Sequence, residues 1–72
     1  MTEIKSQVSG VVAAIEVEAG SAVEADQVIM LIESMKMEIP VEAPSAGTLA
    51  DVLVDEGESV TEGQTVANLR DT

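Results

Sequence analysis

Hydrophobic and polar residues alternate with a period of two over most of the chain. Val11, Ala13, Ile15 and Val17 share one side, and Val12, Ala14, Glu16 and Glu18 the other. Ala50, Val52 and Val54 oppose Asp51, Leu53 and Asp55. Ile39, Val41 and Ala43 oppose Glu38, Pro40 and Glu42. A strand turns successive side chains to opposite faces, so this pattern predicts half-buried strands. Residues 28–32, Val-Ile-Met-Leu-Ile, form an unbroken apolar run, which predicts a strand covered on both faces. No stretch carries an apolar stripe at helical spacing, and the Val and Ile content favours sheet. The expected fold is all-β, a small antiparallel sandwich or flattened barrel.

An internal repeat sharpens that expectation. Residues 9–32 align with residues 46–69 at an offset of 37, with identities at Gly10/Gly47, Ala13/Ala50, Val17/Val54, Gly20/Gly57, Val23/Val60 and Gln27/Gln64. Most mismatches between these pairs are gentle, such as Ile15 with Val52 and Ile32 with Leu69. Each half reads as a strand, a glycine turn, a lone valine, a second turn and another strand. Gly20 and Gly57 are expected to supply positive φ at the first turn. Asp26 and Gly63 occupy the second, and both residue types tolerate the left-handed region. Val23 and Val60 each place one apolar plug beneath a loop. Two equivalent four-strand motifs related by a pseudo-twofold axis follow.

The connection between the halves, residues 33–38, reads Glu-Ser-Met-Lys-Met-Glu and has no counterpart. Adding 37 to Lys36 passes the C-terminus, and subtracting it passes the N-terminus. The symmetry therefore predicts this connection at one end of the domain and both termini at the other. A two-residue hairpin through Met35 and Lys36 would set Ser34 opposite Met37, Ile32 opposite Ile39 and Met30 opposite Val41. Such hairpins favour Asn-Gly and similar pairs, which accept positive φ cheaply. Met-Lys breaks that rule in a sequence otherwise consistent with its fold, and such breaks point to function.

Composition narrows the function. Seventy-two residues allow one domain, here 1–72. The chain has no Cys and no His, which excludes disulfides, zinc fingers and histidine catalysis. Fourteen acidic residues against three basic ones give a net charge of -11. Nucleic acid and anionic membrane surfaces are poor partners for that charge, and the run at 28–32 is too short to span a bilayer. The first ten residues show no secretory leader, so a cytoplasmic domain, monomeric when isolated, is expected. The acidic residues are scattered along expected strand faces and turns, which speaks against an enzyme active site.

The stretch ESMKMEIPVEAPSAG followed by DEGESVTEGQTVANL resembles the biotinyl, or biotin carboxyl carrier, domain family. The hallmark of that family is a lysine between two methionines in a tight hairpin, present here as Met35, Lys36 and Met37 with Glu33 and Ser34 ahead of them. Its A-P-x-x-G turn corresponds to Ala43, Pro44 and Gly47, and its G-x-x-V-x-x-G-Q loop to Gly57, Val60, Gly63 and Gln64. The likeness runs from about Lys5 to Leu69. It implies a flattened antiparallel barrel of two four-stranded sheets, with biotin amide-linked to Lys36. Departures are Ser9-Gly10 in place of a frequent Pro-Gly, and Asp26 in place of a loop glycine. The halves align without a gap from Gly10 to Ile32, so the inserted thumb of some carriers should be absent. The chain is similar to the short biotin/lipoyl attachment proteins.

The resemblance implies a non-catalytic carrier. A biotin protein ligase would couple biotin to Lys36, and biotin carboxylase and carboxyltransferase subunits would use the loaded arm in turn. Met35 and Met37 would form an adaptable contact patch, with Glu33, Ser34, Glu38 and Glu42 near the hairpin for partner recognition. A lipoyl carrier shares the fold, but commonly has an acidic residue directly before its lysine, so lipoate is the alternative cofactor. An acyl carrier needs its serine at a helix start, and Pro40 interrupts any helix there. An unmodified adaptor gives no reason for Met-Lys-Met at a tip.

Overall fold

A computed structural model describes residues 1–71. It consists of eight strands and turns: β1 (Thr2–Lys5), β2 (Gly10–Ile15), β3 (Ala22–Val23), β4 (Val28–Ser34), β5 (Met37–Glu42), β6 (Gly47–Val52), β7 (Ser59–Val60) and β8 (Thr65–Asp71). They form two four-stranded antiparallel sheets, in the orders β1-β8-β6-β3 and β5-β4-β2-β7. The fold is the expected all-β sandwich.

An offset of 37 carries β2, β3 and β4 onto the bounds of β6, β7 and β8. Cross-strand pairing follows the same interval. Thr2↔Leu69, Glu3↔Asn68, Ile4↔Ala67 and Lys5↔Thr65 in one sheet repeat as Ile32↔Ile39, Leu31↔Pro40, Met30↔Val41 and Val28↔Glu42 in the other. The chain ends on β1 and β8 thus stand where the second sheet has its β4–β5 hairpin. Each half also lends a two-residue strand to the sheet it otherwise does not belong to. β3 pairs with β6, and β7 with β2.

The turns that permit this exchange have the expected backbone. Gly20 and Gly57 have φ of 94° and 89°. The Gly20 N–H donates to the carbonyl of Leu49 at 2.6 Å, and the Gly57 N–H to that of Val12 at 2.8 Å. Asp26 and Gly63 have φ of 68° and 86°, and their N–H groups donate to Ala43 and Ser6. The paired glutamines staple the second turns: the Gln27 side-chain oxygen accepts from the Glu24 N–H at 2.9 Å, and that of Gln64 from the Thr61 N–H at 3.0 Å. Val23 and Val60 are buried beneath these loops.

Three of the predicted strand phases need correction, and bulges are the cause in each. Val12 is buried while Val11 is 39% exposed. The register between β2 and β4 shifts across Ala13, so Ile15 and Val17 pack on the core but Val11 and Ala13 do not share their face. The register between β6 and β8 shifts across Ala50, the equivalent residue, and Leu49 rather than Ala50 lies in the core. The run at 28–32 is not covered on both faces. A register shift across Ile29 lets Ile29 and Met30 both point inward, and Leu31 faces out and is only half-buried. A bulge inserts one unpaired residue and resets the alternation of its strand.

The core between the sheets is aliphatic, with Ile29, Met30, Ile32, Leu49, Val66, Ala67 and Leu69 all at 0% exposure. Gly10 and Gly47 let neighbouring strands pass close beneath them. A Cβ on Gly10 would lie 2.2 Å from the Glu33 carbonyl oxygen, and one on Gly47 2.4 Å from that of Arg70. Neither obstacle is a flexible side chain, so the sheet itself must shift. Gly10→Ala is therefore expected to cost ~1–3 kcal/mol of stability. Urea titration reads this out, and Gly47→Ala should lose a similar amount because the contact repeats.

Candidate functional site

The β4–β5 hairpin forms the site. Ser34 pairs with Met37 and closes a two-residue turn made of Met35 and Lys36. The predicted partners Ile32↔Ile39 and Met30↔Val41 are in register behind it. Both turn residues are left-handed, with φ of 53° at Met35 and 66° at Lys36. Positive φ at both central positions is the mark of a type I′ turn, whose twist matches that of the flanking strands. Each non-glycine residue so held costs roughly 1–2 kcal/mol. The strand pair supplies the constraint. Ile32 and Val41 anchor it in the core, and β4 lies inside its sheet between β5 and β2.

The turn gives Met35 no packing in return. Its side chain is 93% exposed, and Met37 is 62% exposed. Lys36 is exposed as well, and among the described residues it makes no ion pair and no side-chain hydrogen bond. The ion pair found there joins Lys5 Nζ to Glu3 Oε1 at 3.9 Å, on β1. Ser34 is half-buried. Glu33 and Glu38 are exposed and directly opposite one another across the hairpin. Like charges so placed repel, so one row behind the closing pair Ser34↔Met37 lies a negative pair that opposes folding.

This geometry presents a primary amine rather than enclosing a reaction. A groove at the base of β5 is lined by Lys5, Gln7, Asp26, Glu42 and Pro44 among others, and no residue of the turn borders it. No cluster of metal-ligating side chains is found among the described residues. The sequence-based candidates Glu33, Ser34, Met35, Lys36 and Met37 are brought together on one tip. Glu42 lies further down β5, opposite Val28. Reading single strands missed a row on the outer face of the same sheet, in which Ala14, Leu31 and Pro40 stand side by side. Comparing the two halves position by position would have found it.

An exposed lysine on a strained hairpin of a small β-sandwich holds a primary amine out to solvent. The sequence profile of the family described as "Biotin-requiring enzyme" matches the chain at residues 1–32 and 9–69. The chain is 36% identical over 66 residues to the biotin/lipoyl attachment protein of Bacillus subtilis, covering 92% of this chain and 90% of that one. Its fold matches a part of the Kluyveromyces lactis urea carboxylase with a TM-score of 0.92 and 29% identity, over 96% of this chain and 6% of the carboxylase. The lipoyl domain of the 2-oxoglutarate dehydrogenase complex from Azotobacter vinelandii gives a TM-score of 0.77 and 28% identity, over 94% of this chain and 96% of that domain. The chain belongs to the biotin/lipoyl attachment domain family. Members of this family are carriers of a covalently attached biotin or lipoate, not catalysts.

The backbone of the turn yields its own test. Asn-Gly accepts two positive φ angles at little cost. Replacing both turn residues, Met35→Asn with Lys36→Gly, should stabilise the domain by about 1 kcal/mol. The melting temperature would rise by roughly 4–8 °C. A melting curve that is unchanged or lower would mean that the tip is not strained.

Proposed function

We propose that Lys36 carries biotin in amide linkage and that the domain is the biotin carboxyl carrier of a biotin-dependent carboxylase. The observation that supports this is the exposed, unpaired amine of Lys36 between Met35 and Met37, on a turn whose backbone favours neither residue. In the coupling step the Lys36 Nζ attacks the carbonyl carbon of a biotinyl adenylate held by a biotin protein ligase. The new C–N bond replaces the C–O bond to AMP, and AMP and one proton leave. Among the described residues no carboxylate pairs with Nζ, so the ligase takes the proton. Attached biotin would supply a ureido nitrogen that carries a carboxyl group between carboxylase and carboxyltransferase sites.

The work of the chain is presentation. The paired strands hold Nζ clear of the sandwich, and the tether turns an encounter between two molecules into a local search. Met35 and Met37 offer polarizable, adaptable contacts to more than one partner. Glu33 and Ser34, at the end of β4, belong to the surface that the ligase reads. The negative charge of the domain assists encounter with basic partners, an effect that salt weakens. This reading places the protein in the cytoplasm, with its ligase and carboxylase subunits.

Lipoate on the same amine is the second reading, favoured by the likeness to a lipoyl domain. The methionine before Lys36, where lipoyl domains commonly have an acidic residue, weighs towards biotin. Intact mass after incubation with a biotin ligase and, separately, a lipoate ligase distinguishes the two by the size of the adduct. Lys36→Arg should fold like the parent and accept neither group; an adduct on that variant would place the site elsewhere. Met37→Ala should also fold, and be modified or used by the carboxylase several-fold more slowly. Unchanged rates in both assays would leave Met37 without a recognition role.

A further inference from the structure

The pseudo-twofold provides an internal control for surface chemistry. Any residue on the sheet that bears the hairpin can be compared with its equivalent on the other sheet, where the backbone register is the same. On the hairpin sheet, Ala14, Leu31 and Pro40 form one cross-strand row. Leu31 lies between the buried Met30 and Ile32, so the row faces outward. Val11 lies beside it in the next row, paired with Glu33 and 39% exposed. Adding or subtracting 37 gives the equivalents on the other sheet: Asp51, Asn68 and Glu3 form the matching row, and Thr48 replaces Val11. The same backbone is thus built with four polar residues on one face and four apolar ones on the other.

Folding does not require the apolar version, because the polar sheet is formed with the same register. Pro40 and Val11 are exposed and Leu31 and Ala14 half-buried, so the row leaves apolar surface open to solvent, and such surface points to contact with another molecule. Charge is divided in the same way. The strands of the hairpin sheet carry Glu33, Glu38 and Glu42 and no cation; those of the other sheet carry Glu3, Asp51 and Asp71 but also Lys5 and Arg70, so the hairpin sheet is the more negative of the two. Glu33, left without a counterpart by the sequence repeat, corresponds in the structure to Arg70: Val11↔Glu33 matches Thr48↔Arg70. Glu33 and Glu38 stand between the apolar row and Lys36. A second copy of this chain would bring those carboxylates against their own like, so the charge selects a basic partner. Pro40 also closes the edge. With Ser34↔Met37 as the closing pair of the turn, Leu31↔Pro40 is a pair without mutual hydrogen bonds, and position 40 would point an N–H outward. Proline removes that donor, which disfavours addition of a partner strand along β5 and favours contact on the face.

We propose that the outer face of the hairpin sheet, centred on Leu31 and Pro40, is the docking surface for the ligase that loads Lys36. The complementary surface on that enzyme is an apolar patch bordered by Lys or Arg on the side of its catalytic centre. Pro40 is four steps along the chain from Lys36, so the patch lies about 13 Å from the point where the amine enters. This rests on the carrier reading, and it adds a second contact that the tip alone does not provide.

Initial rates of biotin attachment by a biotin protein ligase, measured across a range of carrier concentrations, test the proposal. Leu31→Glu should raise KM at least about tenfold, with kcat within about twofold of the parent. Pro40→Glu places on β5 the residue that β1 already tolerates at its equivalent position; it should also raise KM, and it stands in should Leu31→Glu fail to unfold cooperatively. Asn68→Glu, on the opposite sheet, adds the same charge and should leave both constants unchanged. Equal KM values for the parent and the Leu31 and Pro40 variants would overturn the proposal. So would an equal rise with Asn68→Glu, which would mean that total charge alone matters, or concentration-dependent dimers of the parent that Leu31→Glu abolishes. A parent domain that the biotin ligase never modifies would instead defeat the biotin reading itself.

Discussion

Beyond the strand ladders, eight backbone hydrogen bonds among the described residues cross between the halves of the chain, in four equivalent pairs, and the structure depends on them. Gly20 to Leu49 mirrors Gly57 to Val12, and Leu49 to Ser21 mirrors Val12 to Glu58. Asp26 to Ala43 mirrors Gly63 to Ser6, and Ala43 to Gln27 mirrors Ser6 to Gln64. Neither half can complete its own sheet, because the short strand that would finish it lies across the sandwich. A chain of this size without aromatic residues or cysteines has little core with which to hold two independent layers together. Exchanging strands makes closing one layer a condition for closing the other. It also explains why the turn residues have so little freedom: positive φ at Gly20, Gly57, Asp26 and Gly63 is what aims their N–H groups at the opposite half.

The tip draws on that cooperativity. Two non-glycine residues at positive φ would not hold in an isolated hairpin, which is marginal in water even with favourable turn chemistry. Here the flanking strands are fixed from below by Ile32, Val41 and Met30 in the core, and β4 is bonded on both edges. The scaffold carries strain at Met35 and Lys36, together with the repulsion of Glu33 and Glu38. Strain of this sort persists where the surroundings over-determine the backbone, and it gathers at functional positions. The result is an amine on a defined backbone, with conformational freedom confined to the lysine side chain.

Much of this was legible in the sequence because the signals were local. Glycine, aspartate and glutamine recur at a fixed interval, and each reports the turn that requires it. The register of the hairpin followed from placing Met35 and Lys36 at its apex, since a one-residue slip would have turned Ile32, Ile39 and Val41 outward. The faces of β2, β4 and β6 were misread because alternation counts residues, whereas a bulge adds one without changing composition. Ala13 and Ala50 look like ordinary strand residues, and nothing about Ile29 announces that its neighbour shares its face. Bulges are fixed by how strands meet across the sheet, and a single strand does not contain that information. The outer row was missed for the same reason: Ala14, Leu31 and Pro40 are far apart in sequence and become neighbours only through cross-strand pairing.

A symmetric scaffold separates what folding needs from what function adds. Positions where the halves agree, such as Gly10 with Gly47 and Gln27 with Gln64, perform the same task twice and can be assigned to architecture. Positions where they disagree under the same backbone constraint require another cause. The core substitutions between halves, Ile29 for Val66 and Met30 for Ala67, exchange volume within one shared interior and are explained by packing. Leu31 against Asn68 and Pro40 against Glu3 cannot be explained that way, because both members of each pair lie outside the core. The largest disagreement is the connection itself, where one sheet has chain ends and the other has Lys36. The apolar row and the lysine fall on the same sheet, and both depart from what the backbone alone would select. One requirement, that this sheet meet another molecule, accounts for the two departures together.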